Sequence, residues 1–497
     1  MRAVYPPGVE EERRVRGRLI EPGVLRVEVD GVPLFWAEGH HQEAEAGLLF
    51  RVGRADETLP TAGISRLTAA AAAAAAGPGV PVQVDVGPCT TGVRCRGSVS
   101  EVTEFLSMFS SLVGAGAQPV LEVRERLRTE GAPISPASVA LGLRYGARGP
   151  GLLRHEEYGL GWLGSADVAA WGERWFNAAN GAGWMIAPRL QGMGLLLPEG
   201  ARALAAPLPV PRTPVPAAVL TNDPDATVAF VSEASLALRA ALDVVGRLGR
   251  VECTTLNADT VHAALTLGRA ETLTELVPQL EAAVPFDAVG AISSDDLLSW
   301  CEHELLGTAV LPRAYRLAAH QAITGREMAS AWQRGLDNAV YLLPRRASTP
   351  GGPLAPTAGT PLAPTAGTLL APAAGTLLAP AAAWCPPPHS GTVHRATEFD
   401  VAHPSRHVVV EPDAVVLVID ESHAVRARLT GATLLRLADG SRGLWSTDGV
   451  YLELHPADWE AGEQLIEAVE RSVPTESIVP LANQGPGQRG VSDAGAD

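Results

Sequence analysis

His40 and His41 stand beside Glu43 and Glu45, and imidazole with carboxylate is a donor set that transition metals favour. Adjacent histidines in a segment that links two strands point different ways, so both cannot easily turn to one ion. The run EGHHQEAE is therefore read as a polar loop. Five cysteines, Cys89, Cys95, Cys253, Cys301 and Cys385, show none of the paired short spacings of a zinc or redox site. Reduced, mostly buried thiols are expected. Trp171, Trp175 and Trp184 could wall a ligand cage, but their helical and strand contexts make them core residues.

A more specific pattern lies in FRVGRADETLPTAGISRLTAA, residues 50–70. Phe50, Val52, Gly53, Glu57 and Gly63-Ile64-Ser65 sit in register with F-x-V-G-x-x-x-E, a short loop, and G-[LI]-[SA]-H-x-x-E-H. On these residues the chain resembles the insulinase/pitrilysin family of zinc peptidases. In that family two imidazoles at i and i+4 ligate zinc from one helical face, and the Glu between them takes a proton from the bound water. Here the three positions hold Arg66, Ala69 and Ala70. Alanine has no lone pair to give. A guanidinium is always charged, has no acceptor and repels a divalent cation. The third ligand of the family, a Glu on a later helix, is matched best by Glu130 in VRERLRTEG, the one ligand position that survives. The resemblance resumes in residues 158–188, where Asp167, Trp171, Trp175-Phe176 and Asn180 fall in the pattern that closes the first half-unit. It covers roughly residues 18–345.

The resemblance implies an inactive member of the family, with no catalytic residue, no bound metal and no other cofactor. It further implies a peptide or protein partner, with the chain as a binding or assembly subunit beside an active peptidase paralogue, or self-associated. Two alternatives stay open: a zinc endopeptidase with unorthodox ligands, and a scaffold acting through its C-terminal module. Active relatives also grip peptide backbone with an Arg/Tyr pair, for which Arg313 and Tyr315 are candidates by type alone.

The elements that would position these residues are legible as alternating and helical spacings. LRVEV, Asp30-Gly31 and VPLFW read as a β-hairpin with the favoured two-residue turn. AGLLFRVG is a third strand, and the alanine-rich run after it a helix that Gly77-Pro78-Gly79 stops. Valines at 80, 82, 84 and 86 mark a half-buried strand. Ser98 and Glu101 form a capping box ahead of an apolar helix face from Val99 to Val113. After the Pro-rich APLPVPRTPVPAA a similar order recurs, from the strand ATVAFVS through helical text to residue 345.

The expected fold is α+β: tandem peptidase-like half-units at 18–200 and 215–345, each an antiparallel sheet with helices on one face. Residues 346–395 contain an octapeptide repeat, PLAPTAGT to LLAPAAA, whose regular prolines suit a semi-extended linker. Residues 400–475 read as short strands closed by one helix, an order that resembles a pleckstrin-homology-like module, and 476–497 as a disordered tail.

Composition bounds the partners. The 497 residues carry 39 Lys+Arg against 55 Asp+Glu, a net charge of −16, with no basic cluster to neutralise phosphates. Nucleic acid is excluded as an expected partner. No run approaches the ~20 apolar residues of a membrane span, and MRAVYPPGVEEERRVRGRL has no apolar signal stretch. A cytoplasmic protein is expected.

Overall fold

The computed structural model describes residues 17–39, 43–113, 119–132, 134–190, 193–211, 215–221, 225–268, 276–283, 292–344, 376–378, 384–385, 391–397, 406–418, 424–437, 440–446 and 451–480. His40 and His41, most of the octapeptide repeat, the turn pairs Asp439-Gly440 (at its Asp) and Asp448-Gly449, and the tail from 481 lie outside the described residues.

The first half-unit begins with β1 (Arg18–Glu21), β2 (Val24–Val29) and β3 (Val32–Glu38). Asp30 and Gly31 both take positive φ, so the two-residue turn pairs Val29 with Val32 in the hairpin that the sequence predicts. There follow β4 (Glu43–Phe50), α1 (Ile64–Ala76), β5 (Val82–Val86), β6 (Thr91–Ser98), α2 (Val99–Leu112), α3 (Val120–Glu130), α4 (Pro136–Tyr145), α5 (Ser165–Trp175) and β7 (Gly181–Ala187). The sheet order is β1-β2-β3-β7-β4-β6-β5, antiparallel except for β3 against β7. The capping box at the head of α2 forms as expected: Glu101 accepts from the Ser98 amide at 2.9 Å, and Ser98 Oγ accepts from the Glu101 amide at 3.3 Å.

The second half-unit runs β8 (Ala217–Thr221), β9 (Ala226–Glu233), α6 (Leu236–Val245), β10 (Arg250–Thr255), β11 (Thr260–Leu267), α7 (Leu276–Ala282), α8 (Ser294–Leu306), α9 (Arg313–Gln321), α10 (Gly325–Leu336) and β12 (Ala339–Pro344). Its sheet order, β10-β11-β9-β12-β8, repeats β5-β6-β4-β7-β3 strand for strand, down to the single parallel pair of first and last strands. The partial recurrence seen in the sequence is thus a topological duplication. Thr376–Leu378, a Pro-free triplet of the repeat, adds as β13 in parallel to the outer edge of β8. A proline-punctuated segment can pair there because an edge leaves one side of the strand unbonded.

Each half-unit's own helices cover one face of its sheet. Ala44, Ala46, Leu48 and Phe50 of β4 pack with Ala69, Ala72 and the α2 residues Phe105, Leu106 and Phe109; Phe230 and Leu265 pack with Leu242 and Trp332. The opposite face of each sheet is covered by a helix lent from the other half. Leu297, Trp300, Cys301 and Leu305 of α8 lie on Phe35, Leu49, Ala182 and Trp184 of the first sheet, while Ala137, Ala140 and Leu143 of α4 lie on Val219, Ala229 and Val340 of the second. Burial on both faces explains why β7, and β4 over residues 47–50, read as continuous apolar text rather than a clean alternation. No helix of the described residues is long and apolar enough to cross a membrane.

The C-terminal module has β14 (Trp384–Cys385), β15 (Thr392–Arg395), β16 (His407–Val410), β17 (Ala414–Val418) and β18 (Ala424–Arg428) in one antiparallel sheet. A second sheet holds β19 (Thr433–Arg436), β20 (Arg442–Trp445), β21 (Tyr451–Leu454) and, after α11 (Gly462–Ser472), β22 (Ile478–Pro480). Leu465, Ile466 and Val469 of α11 join both sheets in one core with Val408, Val415, Leu434 and Leu444. Pro456–Asp458 form a separate turn and Ala461 sits at φ 51°, so α11 starts at Gly462. The module docks on the body through Leu435, which packs with Leu59 and Leu152; Leu437 and Trp445 of the module and Tyr158 and Trp162 of the body pack against this cluster.

Candidate functional site

Glu57 sets the start of α1. Its carboxylate accepts from the Gly63 amide at 2.9 Å and the Ser65 amide at 3.0 Å, two of the donors that a helix N-terminus leaves unpaired. Arg54 donates to the same carboxylate at 2.7 Å, with both side chains buried. Burial pushes the Glu57 carboxyl up, and Arg54 and the two amides pull it back. Gly63 is required: its φ is 96°, and a Cβ there would stand 2.8 Å from Cβ of Glu157. Of the matching motif residues, Glu57, Gly63 and Ser65 thus build the entrance of α1.

Arg66, Ala69 and Ala70 follow on α1. Arg66 Nη1 donates to Glu157 at 2.9 Å and to the Gly131 carbonyl at 3.0 Å, and Nη2 donates to Glu130 at 3.1 Å. Glu157 is nearly buried, with its side chain 6% exposed, and its other oxygen lies 3.9 Å from Arg54; Glu130 is 49% exposed and also 3.7 Å from Arg126. The side chains form an alternating row: Glu57, Arg54, Glu157, Arg66, Glu130, Arg126. Arg66 and Glu130 are thereby brought together from α1 and the last residue of α3.

The other two positions turn away from this row. Ala69 is buried against the first sheet with Phe105 and Leu106. Ala70 is buried among Val123, Leu127, Leu160 and Val168, between α1, α3 and α5. A zinc ion does not fit this donor set, which offers one fixed cation, two methyl groups and carboxylates already bonded to arginine. Among the described residues no group of three His, Cys, Asp or Glu side chains could hold a metal ion.

Arg54, Glu157 and Arg126 are the members of the row that sequence reading missed. The spacing of Arg54 three residues before Glu57 was a usable signal; Glu157, in the polar run HEEYG, carried none. Trp171 donates from Nε1 to Ser65 Oγ at 3.2 Å and lies 5.6 Å from Trp175, while Trp184 is 1% exposed, so all three are packing residues. Asp167 accepts from the Gly164 amide at 2.9 Å and caps α5, and Asn180 bonds the Trp175 carbonyl at 3.2 Å. Arg313 and Tyr315 lie in the first turn of α9, where Arg313 faces Asp296 at 4.0 Å and Tyr315 is 63% exposed; neither meets the Arg66 row.

No protein-family model and no curated protein matches the chain by sequence. Among solved structures, a peptidase M16 inactive domain from Pseudomonas fluorescens is similar with a TM-score of 0.50 and 15% identity, over 66% of this chain and 99% of that one. The first half of the periplasmic protease PqqL from Escherichia coli gives a TM-score of 0.44 and 10% identity, over 67% of this chain and 94% of that one. Pitrilysin gives 0.45 and 9%, over 68% of this chain and 46% of that one. With its duplicated sheet order and its helix entrance at Gly63, the body of this chain has the insulinase/pitrilysin peptidase fold.

Proposed function

We propose that the chain is a non-catalytic peptidase-like protein that binds peptide or protein and serves as a binding or assembly subunit, in the setting implied by the resemblance beside an active paralogue. The observation that carries the first half of this reading is the fixed position of Arg66. By the resemblance Arg66 stands where the family has a metal-binding imidazole, its guanidinium is held by Glu157 and Glu130, and Ala69 and Ala70 offer neither a base nor a lone pair. The second half is supported by the sheet edge beside it. Among the described residues β5 pairs with β6 alone, and its side chains alternate between half-buried and exposed. An edge of this kind can take one further strand from an extended peptide through backbone hydrogen bonds.

A pool of unstructured casein peptides tests both halves at once. The β5 amides should gain protection from hydrogen exchange while the peptides remain intact by mass spectrometry. Cleaved peptides, or an unchanged β5, would overturn the reading. The assembly role predicts that the chain co-purifies with an intact H-x-x-E-H relative encoded beside it.

A further inference from the structure

The two half-units leave a cavity of about 220 Å³ between them, on the face of the first sheet that α8 covers. Leu49, Trp184 and Leu298 give it an apolar wall, and Arg94 and Glu302 bring opposite charges to it. The outer strands of both sheets reach it, through Asp85 of β5 and through Cys253, Thr254 and Thr255 of β10. Among the described residues β10 pairs with β11 alone, and the Thr255 carbonyl on its open side accepts from Cys89 Sγ at 3.2 Å. Peptide groups alternate in direction along an antiparallel strand, so the backbone of Cys253 faces the same open side.

The two charges are set apart. Arg94 lies 5.4 Å from the ring centre of Trp184, and its carboxylate contacts are long, 3.5 Å to Asp295 and 3.7 Å to Glu45. Close charge-assisted pairs measure about 2.7–2.9 Å, so the guanidinium has donors to offer a further anion. Glu302 takes a side-chain hydrogen bond from Thr255; burial pushes its carboxyl up, and Arg239 offsets that only in part. Asp295, Leu298 and Glu302 share one face of α8 at i, i+3 and i+7, which puts Glu302 roughly 10 Å along the helix from the level where Arg94 meets it. Three extended residues span roughly 10 Å. The charges of a single α-amino acid stand one carbon apart, too close to reach both groups.

We propose that this cavity is a separate binding site for short free peptides of about three small residues, with the terminal carboxylate on Arg94, the terminal ammonium on Glu302 and the peptide groups against the open edge of β10. Strand addition at β5 engages backbone alone and tolerates blocked ends. The cavity reads both ends, so either site can fail without the other.

Calorimetric titration of the full chain with trialanine, N-acetylated trialanine and trialanine amide tests the proposal. The free tripeptide should bind, and each block should weaken binding roughly ten- to hundredfold, the effect of losing one charge-assisted contact. Arg94→Gln should bind the amide and the free acid alike while still rejecting the acetylated peptide, and Glu302→Gln should do the converse. Trialanine that does not bind at millimolar concentration, blocked peptides that bind as well as the free one, or variants that keep the wild-type preference at both ends would overturn it. So would spermidine binding more tightly than trialanine, which would make the cavity a cation site. If either variant fails to fold, the comparison of free and blocked peptides on wild type decides the matter alone.

Discussion

His155 meets Trp445 edge to face, with ring centroids 4.8 Å apart, at the patch where the C-terminal module docks on the body. The imidazole is buried, and that burial, aided by Arg154 and Arg54, lowers its pKa to about 3. A folded-state pKa below the ordinary 6.5 means that the neutral form is held. The contribution is full above that value and is lost as the pH falls towards 3, at about 1.4 kcal/mol per pH unit. His262, also lowered to about 3 by burial, acts in the same direction. His155→Phe should therefore show a shallower loss of stability than wild type between pH 6.5 and pH 4, measured by urea unfolding. Identical slopes would remove His155 from the account.

Purified wild-type chain should contain no stoichiometric zinc and should cleave no peptide, because Arg66, Ala69 and Ala70 supply no ligand and no general base. Elemental analysis showing about one zinc per chain, together with turnover, would contradict this.

Rebuilding the motif with Arg66→His, Ala69→Glu and Ala70→His should give weak zinc binding and negligible turnover. Ala69 is 1% exposed and Ala70 5%, in clusters with no room for larger side chains. Overfilling them should cost about 1–3 kcal/mol, and the carboxylates that could orient an imidazole, Glu157 and Glu130, stand beside position 66 and not beside position 70, which apolar side chains enclose. Calorimetry with zinc and a peptidase assay decide the matter. Tight binding with brisk cleavage would show that the site geometry survives intact.

Glu57→Gln should be among the more damaging single changes, at about 3–5 kcal/mol, since it leaves Arg54 buried without its closest charge partner. Glu43→Gln is the control. Its partner Arg96 is 70% exposed, and such surface pairs contribute roughly 0–1 kcal/mol. Denaturant titration of both variants separates a buried charge pair from a surface one, and comparable losses would refute the distinction.

The elements were legible wherever one physical rule acted locally. Asp30-Gly31 set a hairpin, Gly77 stopped α1, and Ser98 with Glu101 started α2, because turns and caps are decided by a few neighbouring residues. Glu157 stayed hidden because its partners come from α1 and from the turn at Arg54, and no local spacing encodes a contact across so much chain. The exchange of α4 and α8 was equally invisible, since a helix face that fits its own sheet reads the same as one that fits a neighbour's.

That exchange bears on how such a protein can change over generations. A fragment ending near residue 200 would keep α4 with no sheet to lie on and would leave Phe35 and Trp184 wet. The two halves can therefore be inherited only as a pair, and a deletion in either harms both. The peptidase chemistry of the fold has no such protection, for it hangs on a handful of side chains on one helix and its neighbour. Changes at those few positions leave the exchanged helices and both sheets in place.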